Sequence, residues 1–513
     1  MPQPVEAPLV DLEQLNEFVL SNDSKRNSIP LVKRCQRSPT ASPYCFTIIN
    51  RDSLEHKTKQ KPKKTRVRLG RERHRPIFFA GSVSNWDKLK QANVNYMIRV
   101  FSRLKSDQLS LMKQFALKNS GCPNNPAIAV AATLEDFLPD SADPIEIASL
   151  YEKGAECLAQ SPPDQEIFFT RAGLFYFIKK QYAQAALVFE KAKNIEVPYV
   201  GRPLYWLGRG YVELKEKKKA AMITETLRAR YPFSFHTLVA ATTDKVDPGE
   251  VLNSKENSAL SRRSQQNPNV NILIDQVETL RKHGYSTAAS RVVDWAAAES
   301  QGFEPEVRLY VAELKSNSAD HLSRISLLSD ILYKHPNLVS RQSMDLYFPK
   351  AFYPVFESNV AGIDPNLLLA VARQESAFNP KARSIANARG LLQLLPKTSR
   401  KFKKGVNLYD PESNVDVGSR YLFELLKRLN GNIPFALASY NAGPERVSTW
   451  TNRYPVDNPV LFTDLIPFRE TRDYVASVLR NYYWYRRMDS AGDEKFVDLV
   501  FEAEMNNKAI ATQ

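Results

Sequence analysis

Residues 364–396 read DPNLLLAVARQESAFNPKARSIANARGLLQLLP, which predicts a short helix followed by a tight loop. Asp364 supplies an N-cap oxygen, and Pro365 suits the first helical position because the amide hydrogen that it lacks would have no partner there. The helical apolar spacing continues to about Ser376, and Gly390 allows a sharp turn in the loop that follows. We expect the C-terminal part of the chain to be organised around this helix and loop.

One acidic residue of the predicted helix, Glu375, falls on its apolar face. It follows Leu368 by seven residues and Val371 by four, which places the three side chains on one side of the helix. Burial and the negative end of the helix dipole both disfavour the anion, so we expect a raised pKa, which suits a general acid near neutral pH. An ordinary ion pair with a neighbour such as Arg373 is the alternative for this position.

Five sequence blocks that follow one another in order carry a family resemblance. They are ESAFNP (375–380), Ser384, GLLQLLP (390–396), SYNAG (439–443) and ETRDYV (470–475). Together they resemble the catalytic domain of the soluble lytic transglycosylases, goose-lysozyme-like enzymes that cleave the glycan strands of peptidoglycan. The resemblance extends roughly from Phe348 to Arg487 and implies a lysozyme-like, α-rich catalytic domain.

The resemblance also implies roles for individual residues. Glu375 corresponds to the catalytic acid, and the implied substrate-binding residues are Ser384, Gln393, Leu395, Tyr440, Asn441 and Glu470. Plainer roles stay open for several of them: a bare loop serine, a buried tyrosine followed by a cap asparagine, and a first-turn acid that complements the helix dipole. Tyr474 and Tyr482 are predicted to belong to the buried stripe of the helix that Glu470 opens.

The loop after Glu375 departs from the family pattern in two places. GLLQLLP stands where the family usually has GLMQIMP, and residues 387–389, Asn-Ala-Arg, stand where the family tends to have glycine. Leucine can replace methionine in a hydrophobic wall, so the first departure is compatible with activity. Among leucines, the Gln393 amide is expected to meet a ligand or the backbone, because an unpaired buried amide is costly.

The mechanism is predicted from an absence of acids. Glycoside hydrolysis usually needs two carboxylates, yet the sequence has none between Glu375 and Asp410. A lone glutamate suffices if the 6-hydroxyl of the substrate's own N-acetylmuramic acid (MurNAc) attacks, which leaves the 1,6-anhydro ring that the family forms at the bond from MurNAc to N-acetylglucosamine. The alternatives are a lysozyme-type hydrolase in which Asp410, Asp416 or Glu470 helps a water, and a non-catalytic helical-repeat protein that binds glycan or an envelope protein.

Composition predicts a globular protein of two or three domains, since 43% of the 513 residues are hydrophobic and 25% are charged. No apolar run is long enough to span a bilayer, so no transmembrane anchor is expected. The first residues, MPQPVEAPLVDLEQ, lack the basic and apolar regions of a secretory signal. We expect a periplasmic protein whose signal has been removed, and a protein that stays inside the cell is the alternative.

Two segments carry the formal net charge of +15. Residues 57–75 hold ten lysines and arginines against one glutamate, and residues 351–487 carry +7. The first segment lacks interleaved aromatic residues, so nucleic acid is not an expected partner. The second includes eight cations that follow Glu375 with no acid between them: Lys381, Arg383, Arg389, Lys397, Arg400, Lys401, Lys403 and Lys404. This pattern predicts a substrate that carries carboxylates.

The cysteines and histidines lie before the catalytic segment. Cys35, Cys45, Cys122 and Cys157 show no CxxC pair, and they allow either two disulfides, of which Cys35 to Cys45 is the easiest by proximity, or four reduced thiols. The six histidines end at His335, so the C-terminal chemistry is expected to use neither a histidine base nor a histidine-bound metal. No cofactor is expected.

The middle of the chain shows an internal repeat. AGLFY (172–176) aligns with LGRGY (207–211), and the alanine pair 185–186 aligns with 220–221, at a spacing of 35 residues. Each unit resembles a tetratricopeptide-like helical hairpin, which must stack on its neighbours and could bind an envelope protein partner. Aromatic residues in the repeats are expected to pack helices rather than bind sugars: Phe175, Tyr176, Tyr205, Trp206 and Tyr211.

The predicted fold class is mainly α, with a helical-repeat superhelix followed by the lysozyme-like catalytic domain. The predicted domains are an extended basic arm at 1–75, the helical repeats and linker at 76–345, the catalytic domain at 346–490 and a C-terminal tail at 491–513.

Overall fold

The computed structural model of the chain describes residues 11–20, 29–37, 42, 44–59, 94–102, 104, 106–118, 125–137, 143–195, 201–244, 246–253, 261–302, 304–316, 320–489 and 495–501. Regular structure within these ranges consists of α-helices and short 3-10 helices. Two isolated bridges, Arg383 to Arg389 and Arg389 to Leu394, stand in place of strands there. The predicted mainly α fold class is confirmed.

The chain forms two compact units that interleave in sequence. The first combines residues 1–67, 249–351 and 377–379. Its helices are Leu12–Leu20, Ile29–Arg37, Cys45–Lys59, Pro268–Lys282, Ser286–Glu299, Pro305–Lys315, His321–Lys334 and Arg341–Tyr347, with a 3-10 turn at Pro336–Leu338. A second 3-10 turn, Pro248–Asn253, lies where the chain enters this unit from the second unit.

The predicted extended arm at 1–75 is wrong for the residues of that segment that the structure describes. Three helices there bury Leu15, Val19 and Ile48 in one core with the helices that follow residue 268. Lys57, at the start of the basic run, pairs with Glu299 at 2.5 Å rather than facing solvent alone. Each helix is short and its partners lie more than two hundred residues away, so local composition concealed the core. The remainder of the basic run, residues 60–75, lies outside the described residues.

The second unit contains the helical hairpins. Its helices before residue 248 are Val94–Phe101, Ser106–Lys118, Asn125–Phe137, Pro144–Glu156, Pro162–Ile178, Tyr182–Lys193, Arg202–Glu213, Lys217–Arg230 and Phe235–Thr243. The predicted repeat is confirmed as two successive hairpins, in which small residues lie where the helices touch. A Cβ at Gly173 would overlap the ring of Phe189. Four of the five repeat aromatics are buried, as predicted, and Tyr211 is half-buried with its hydroxyl donating to Glu190 at 2.8 Å.

The same unit holds residues 352–376 and 380–513. Its helices there are Tyr353–Glu357, Pro365–Ser376, Pro396–Phe402, Pro411–Arg428, Ile433–Ala442, Pro444–Arg453, Pro459–Leu465, Arg469–Asp489 and Phe496–Phe501. The last helix corrects the predicted tail at 491–513, because Phe496 and Val500 are buried and the Phe496 ring lies 5.7 Å from that of Tyr483. We call Pro365–Ser376 the Glu375 helix, Ile433–Ala442 the Tyr440 helix and Arg469–Asp489 the Glu470 helix.

Cysteine pairing follows one of the two predicted alternatives. Cys35 and Cys45 form a disulfide, Cys157 is also disulfide-bonded, and Cys122 lies outside the described residues. In the part of the chain that the structure describes, no helix has both the length and the apolar character that a membrane span requires. The described residues also include no cluster of three or more histidine, cysteine, aspartate or glutamate side chains able to hold a metal ion.

Candidate active site

The Glu375 helix begins where the sequence predicts. The Asp364 carboxylate accepts a hydrogen bond from the backbone N–H of Asn366 at 2.8 Å, which satisfies one of the free N–H groups at the start of the helix. Its second oxygen accepts from the Tyr482 hydroxyl at 2.8 Å. At the other end, the Ser376 hydroxyl donates to the Leu391 carbonyl at 2.8 Å. The helix is therefore fixed at one end to the Glu470 helix and at the other to the loop that follows it.

The Glu375 side chain is half-buried on the inner face of its helix, as predicted. Its pKa is raised to about 7: burial is the main cause, the nearby Tyr474 hydroxyl opposes the rise, and repulsion from the Glu470 carboxylate adds to it. No described lysine or arginine, Arg373 included, is among the groups whose charge acts on Glu375. The site therefore holds a carboxyl group that is partly protonated near neutral pH.

Two tyrosines lie near the Glu375 carboxylate, the half-buried Tyr440 and the buried Tyr474. The pKa values of Tyr440 and Tyr474 are both raised well above the ordinary value, first by burial and then by the nearby carboxylate. The Tyr440 hydroxyl donates to the Leu392 carbonyl at 2.8 Å, and its ring centroid lies 5.1 Å from that of Tyr421. The Tyr474 hydroxyl has no partner at ordinary hydrogen-bond geometry among the described residues. Such contacts in free enzymes often tighten when substrate binds.

The loop after Glu375 is held by one buried side chain, that of Asn414. Its amide nitrogen donates to the carbonyls of Arg389 and Leu408, at 3.0 and 2.8 Å, and its oxygen accepts from the Leu392 amide at 2.8 Å. Gly390, at φ +75°, lies so close that a Cβ would overlap the Asn414 side chain. The predicted sharp turn at Gly390 is thus confirmed, and it requires glycine both for its φ value and for space.

Three of the implied substrate-binding residues lie on this loop. Ser384 is exposed, and its hydroxyl accepts from the Ala388 amide at 3.0 Å, so in the free protein it closes a turn rather than contacting Glu375. The Gln393 amide donates to the carbonyls of Ala382 and Gly390, at 3.2 and 2.9 Å, which is the backbone pairing expected for it. Leu395 precedes the helix Pro396–Phe402 and is 42% exposed.

The other three implied residues lie at the facing ends of two helices. Tyr440 and Asn441 occupy the last turn of the Tyr440 helix, which stops at Gly443 with φ +94°. The Asn441 side-chain oxygen accepts from the Thr471 hydroxyl at 2.7 Å. Thr471 adjoins Glu470, which is exposed in the first turn of its own helix. This hydrogen bond brings Asn441 and Glu470 to one site.

Sequence reasoning missed two residues that shape the site. Tyr474 was assigned only to the buried stripe of the Glu470 helix, yet it also acts on Glu375. Its position four residues after Glu470 places both on one side of the helix and could have revealed it. Asn414 carries a signal in the sequence as well, because a polar residue on the apolar face of an amphipathic helix indicates a specific hydrogen-bonding role.

Two acids that the hydrolase alternative invokes have other contacts. Asp410 caps the helix Pro411–Arg428 by accepting from the Ser413 amide at 3.0 Å. Asp416 pairs with Lys403 at 3.2 Å and with Arg420 at 2.8 Å. Glu470 is the one described acid whose charge acts on Glu375.

Comparisons with known proteins assign a family to part of the chain. Residues 353–458 match the family model described as the transglycosylase SLT domain. A soluble lytic murein transglycosylase of Escherichia coli K12 is 39% identical over 151 residues, which cover 27% of this chain and 23% of that protein. The chain thus matches about a quarter of the length of this curated relative.

Two solved structures share the fold over nearly the whole chain. An inactive glutamate-to-glutamine variant of the lytic transglycosylase Slt from Pseudomonas aeruginosa aligns with a TM-score of 0.53 and 20% identity, covering 95% of this chain and 74% of that one. The 70 kDa soluble lytic transglycosylase of E. coli aligns with a TM-score of 0.50 and 17% identity, covering 95% and 90%. Residues 353–458 are therefore a transglycosylase SLT domain, homologous to part of the soluble lytic murein transglycosylases and carried on their α-helical fold.

Proposed function

We propose that this protein is a peptidoglycan lytic transglycosylase, with Glu375 as its single acid and base. The observation that carries the proposal is the half-buried Glu375 carboxyl, whose pKa is raised to about 7 and which has no cationic partner in the described part of the chain. A group of this kind can hold a proton at neutral pH and give it up when the charge on a neighbouring group changes. The resemblance of the surrounding blocks and the SLT match supply the substrate class.

The proposed reaction needs one carboxyl group in two states. Glu375 first protonates the glycosidic oxygen that links MurNAc to N-acetylglucosamine, and the bond from MurNAc C1 to that oxygen breaks. As a carboxylate, Glu375 then takes the proton of the MurNAc 6-hydroxyl, and the oxygen of that hydroxyl bonds to C1. The proton count balances without water, and the product ends in 1,6-anhydro-MurNAc. Holding the attacking hydroxyl within the same sugar supplies the rate advantage of an intramolecular reaction.

The other implied residues are proposed to bind the sugars around this acid. Tyr440 and Asn441 line the acid's side of the site, and Ser384, Gln393 and Leu395 form the loop that covers the adjacent sugar. Glu470 borders the groove. The proposed catalytic domain extends beyond the SLT match, from residue 346 to 490.

Charge supports a substrate that carries carboxylates. Seven of the eight cations between residues 381 and 404 are exposed, and three of them, Lys397, Arg400 and Lys401, lie on the helix Pro396–Phe402. The peptide stems of peptidoglycan carry carboxylates that such a surface attracts, with a screening length of about 10 Å at 0.1 M salt. We expect binding to purified sacculi to weaken as salt rises. The triple variant Lys397→Gln, Arg400→Gln, Lys401→Gln should bind more weakly at low salt and lose most of the salt dependence.

The compartment follows from the substrate. We propose that the protein acts in the periplasm, where peptidoglycan lies, and that the helical hairpins are the surface that an envelope protein partner would use.

The first test replaces the acid. Glu375→Gln is nearly isosteric and should fold normally, yet an amide can neither donate nor retrieve the proton. We expect a loss of at least ~10²-fold in glycan cleavage, within the range of general acid–base contributions. Glu424→Gln, which changes an exposed glutamate of the helix Pro411–Arg428, is the matched control and should keep wild-type activity. Activity of Glu375→Gln within a few-fold of wild type would remove Glu375 from the mechanism.

The second test separates the transglycosylase from a lysozyme-type hydrolase, which the electrostatic proximity of Glu470 to Glu375 keeps as the second candidate. Digestion of purified peptidoglycan in H₂¹⁸O, followed by mass spectrometry, should give unlabelled 1,6-anhydro ends that borohydride does not reduce. Labelled, reducible ends that disappear in Glu470→Gln would instead establish hydrolysis with Glu470 as the base. Intact glycan binding without any soluble product would favour the non-catalytic repeat protein.

A further inference from the structure

The backbone turn just before the Glu470 helix is held by two buried arginines. Arg171, on the hairpin helix Pro162–Ile178, donates to the carbonyls of Ile466 and Leu465, at 3.4 and 3.3 Å. Arg472 donates to the same Ile466 carbonyl at 2.8 Å. The hairpins and the catalytic segment therefore meet, within one compact unit, at the turn from which the Glu470 helix starts.

Arg171 is itself fixed by a saturated carboxylate, that of Glu135. The Arg171 Nε donates to Glu135 at 3.2 Å, and the hydroxyls of Tyr151 and Tyr454 donate to the same carboxylate at 2.6 and 2.8 Å. All of these groups are buried. Buried polar networks of this kind are rigid when each member is satisfied, and costly when one is removed.

A second buried carboxylate, Asp464, lies two residues before Ile466. Its oxygens accept from Arg202 Nε at 2.5 Å and from Trp206 Nε1 at 2.7 Å, and they contact His236 Nε2 at 2.7 Å. Burial alone would raise the pKa of Asp464, but His236 and Arg202 hold it below its usual range. All three partners belong to the hairpin helices Arg202–Glu213 and Phe235–Thr243. The Asp464 carboxylate is thus ionised, and its three partners on the hairpin helices anchor it there.

The anchor lies close in sequence to both residues of the Glu470 helix that act on Glu375. Glu470 lies six residues after Asp464, and Tyr474 lies ten residues after Asp464. The turn at Ile466 joins Asp464 to the Glu470 helix. Asp464 and the turn at Ile466 lie beyond the SLT match, which ends at residue 458. A shift of the turn would displace Glu470 and Tyr474 together relative to the Glu375 helix.

We propose that Asp464 is a positioning residue through which the helical hairpins hold the Glu470 helix in place and so tune the catalytic acid. The inference rests on the proposed function. Four titratable groups interact with Glu375 or with the tyrosines beside it: Tyr421, Tyr440, Glu470 and Tyr474. Only the last two lie on the Glu470 helix, so loosening the anchor changes these two contacts and leaves the others.

The direction of the change follows from the range of each interaction. The Tyr474 hydroxyl, which makes no hydrogen bond of ordinary geometry in the free protein, lowers the pKa of Glu375, and this short-range effect depends steeply on distance and angle. Repulsion from Glu470 raises that pKa and falls off only as the inverse of distance. A small displacement therefore loses more of the Tyr474 effect than of the Glu470 effect. In Asp464→Asn, the pH at which activity is half lost should rise above the wild-type value.

The experiment is a pH profile of the initial rate at saturating peptidoglycan for wild type and variants. Asp464→Asn should lose about 10- to 100-fold in rate, as expected for a misplaced catalytic group, and its midpoint should move to higher pH. Tyr474→Phe should raise the midpoint by itself, and adding Asp464→Asn to it should raise the midpoint no further, because both act through one contact. Asp244→Asn, which removes an exposed carboxylate paired with Arg228, is the control and should leave the midpoint unchanged.

If Asp464→Asn does not fold, Trp206→Phe removes one of its donors, keeps the aromatic packing, and should move the midpoint in the same direction by less. A lower rate with an unmoved midpoint in a folded variant, or full additivity with Tyr474→Phe, would overturn the inference while leaving the proposed function intact. A wild-type protein that cleaves no glycan would overturn both.

Discussion

Replacing Glu375 by glutamine should stabilise the protein, and the gain should depend on pH. Burial raises the pKa of Glu375 from 4.5 to about 7. The folded state therefore holds the proton more tightly than the unfolded state, and wild-type stability falls as pH rises from 4.5 to about 7. At about 1.4 kcal/mol per pKa unit, the loss amounts to about 3 kcal/mol once the carboxyl is fully ionised. Glutamine does not titrate and avoids this cost.

Urea denaturation of the wild type and of Glu375→Gln at a series of pH values measures the effect. The two proteins should have nearly equal free energies of unfolding at about pH 4, and the variant should be more stable by about 3 kcal/mol at about pH 8. Glu424→Gln, the exposed control, should differ from wild type by less than ~0.5 kcal/mol. A Glu375→Gln difference that stays constant between these pH values would show that Glu375 is not buried at a cost, and the general-acid argument would lose its physical basis.

Three further predictions follow from the same geometry. Cleavage by the wild type should fall as pH rises through about 7, because Glu375 must begin the reaction protonated, and a rate that is constant across that range would contradict this. Gly390→Ala should lower the melting temperature more than Gly405→Ala, because both have positive φ but only the Gly390 Cβ would overlap other atoms; equal effects would show that space at Gly390 is not limiting. Reducing the Cys35–Cys45 disulfide should destabilise its unit by about 2–3 kcal/mol, the entropy of a loop of this length, and an unchanged urea midpoint in reductant would refute that.

The parts of the fold that the sequence predicts well are those encoded within a few residues. Asp364 and Pro365 start the Glu375 helix, and Gly443 ends the Tyr440 helix, because capping depends only on neighbours. The inward direction of Glu375 follows from a spacing of four and seven residues. The 35-residue repeat is visible because small residues recur where helices touch.

The parts that could not be predicted depend on distant partners. The helix Leu12–Leu20 buries Leu15 and Val19 against helices that begin near residue 268, and a segment rich in proline, serine and lysine gave no sign of that core. Arg171 and Asp464 look like ordinary surface charges in the sequence. Their partners lie up to 295 residues away, so only the folded chain shows them to be buried.

Under the proposed function, the position of Glu375 between two helices with different anchors gives the helical hairpins a part in the reaction. Burial raises the pKa of Glu375, and the Glu470 helix supplies one group that raises it and one that lowers it. Asp364 joins the Glu375 helix to the Glu470 helix through Tyr482, and Asp464 anchors the turn before the Glu470 helix to the hairpins. If Glu375 is the catalytic acid, the hairpins hold one side of its environment, and removing them should impair the reaction even when the catalytic segment folds alone.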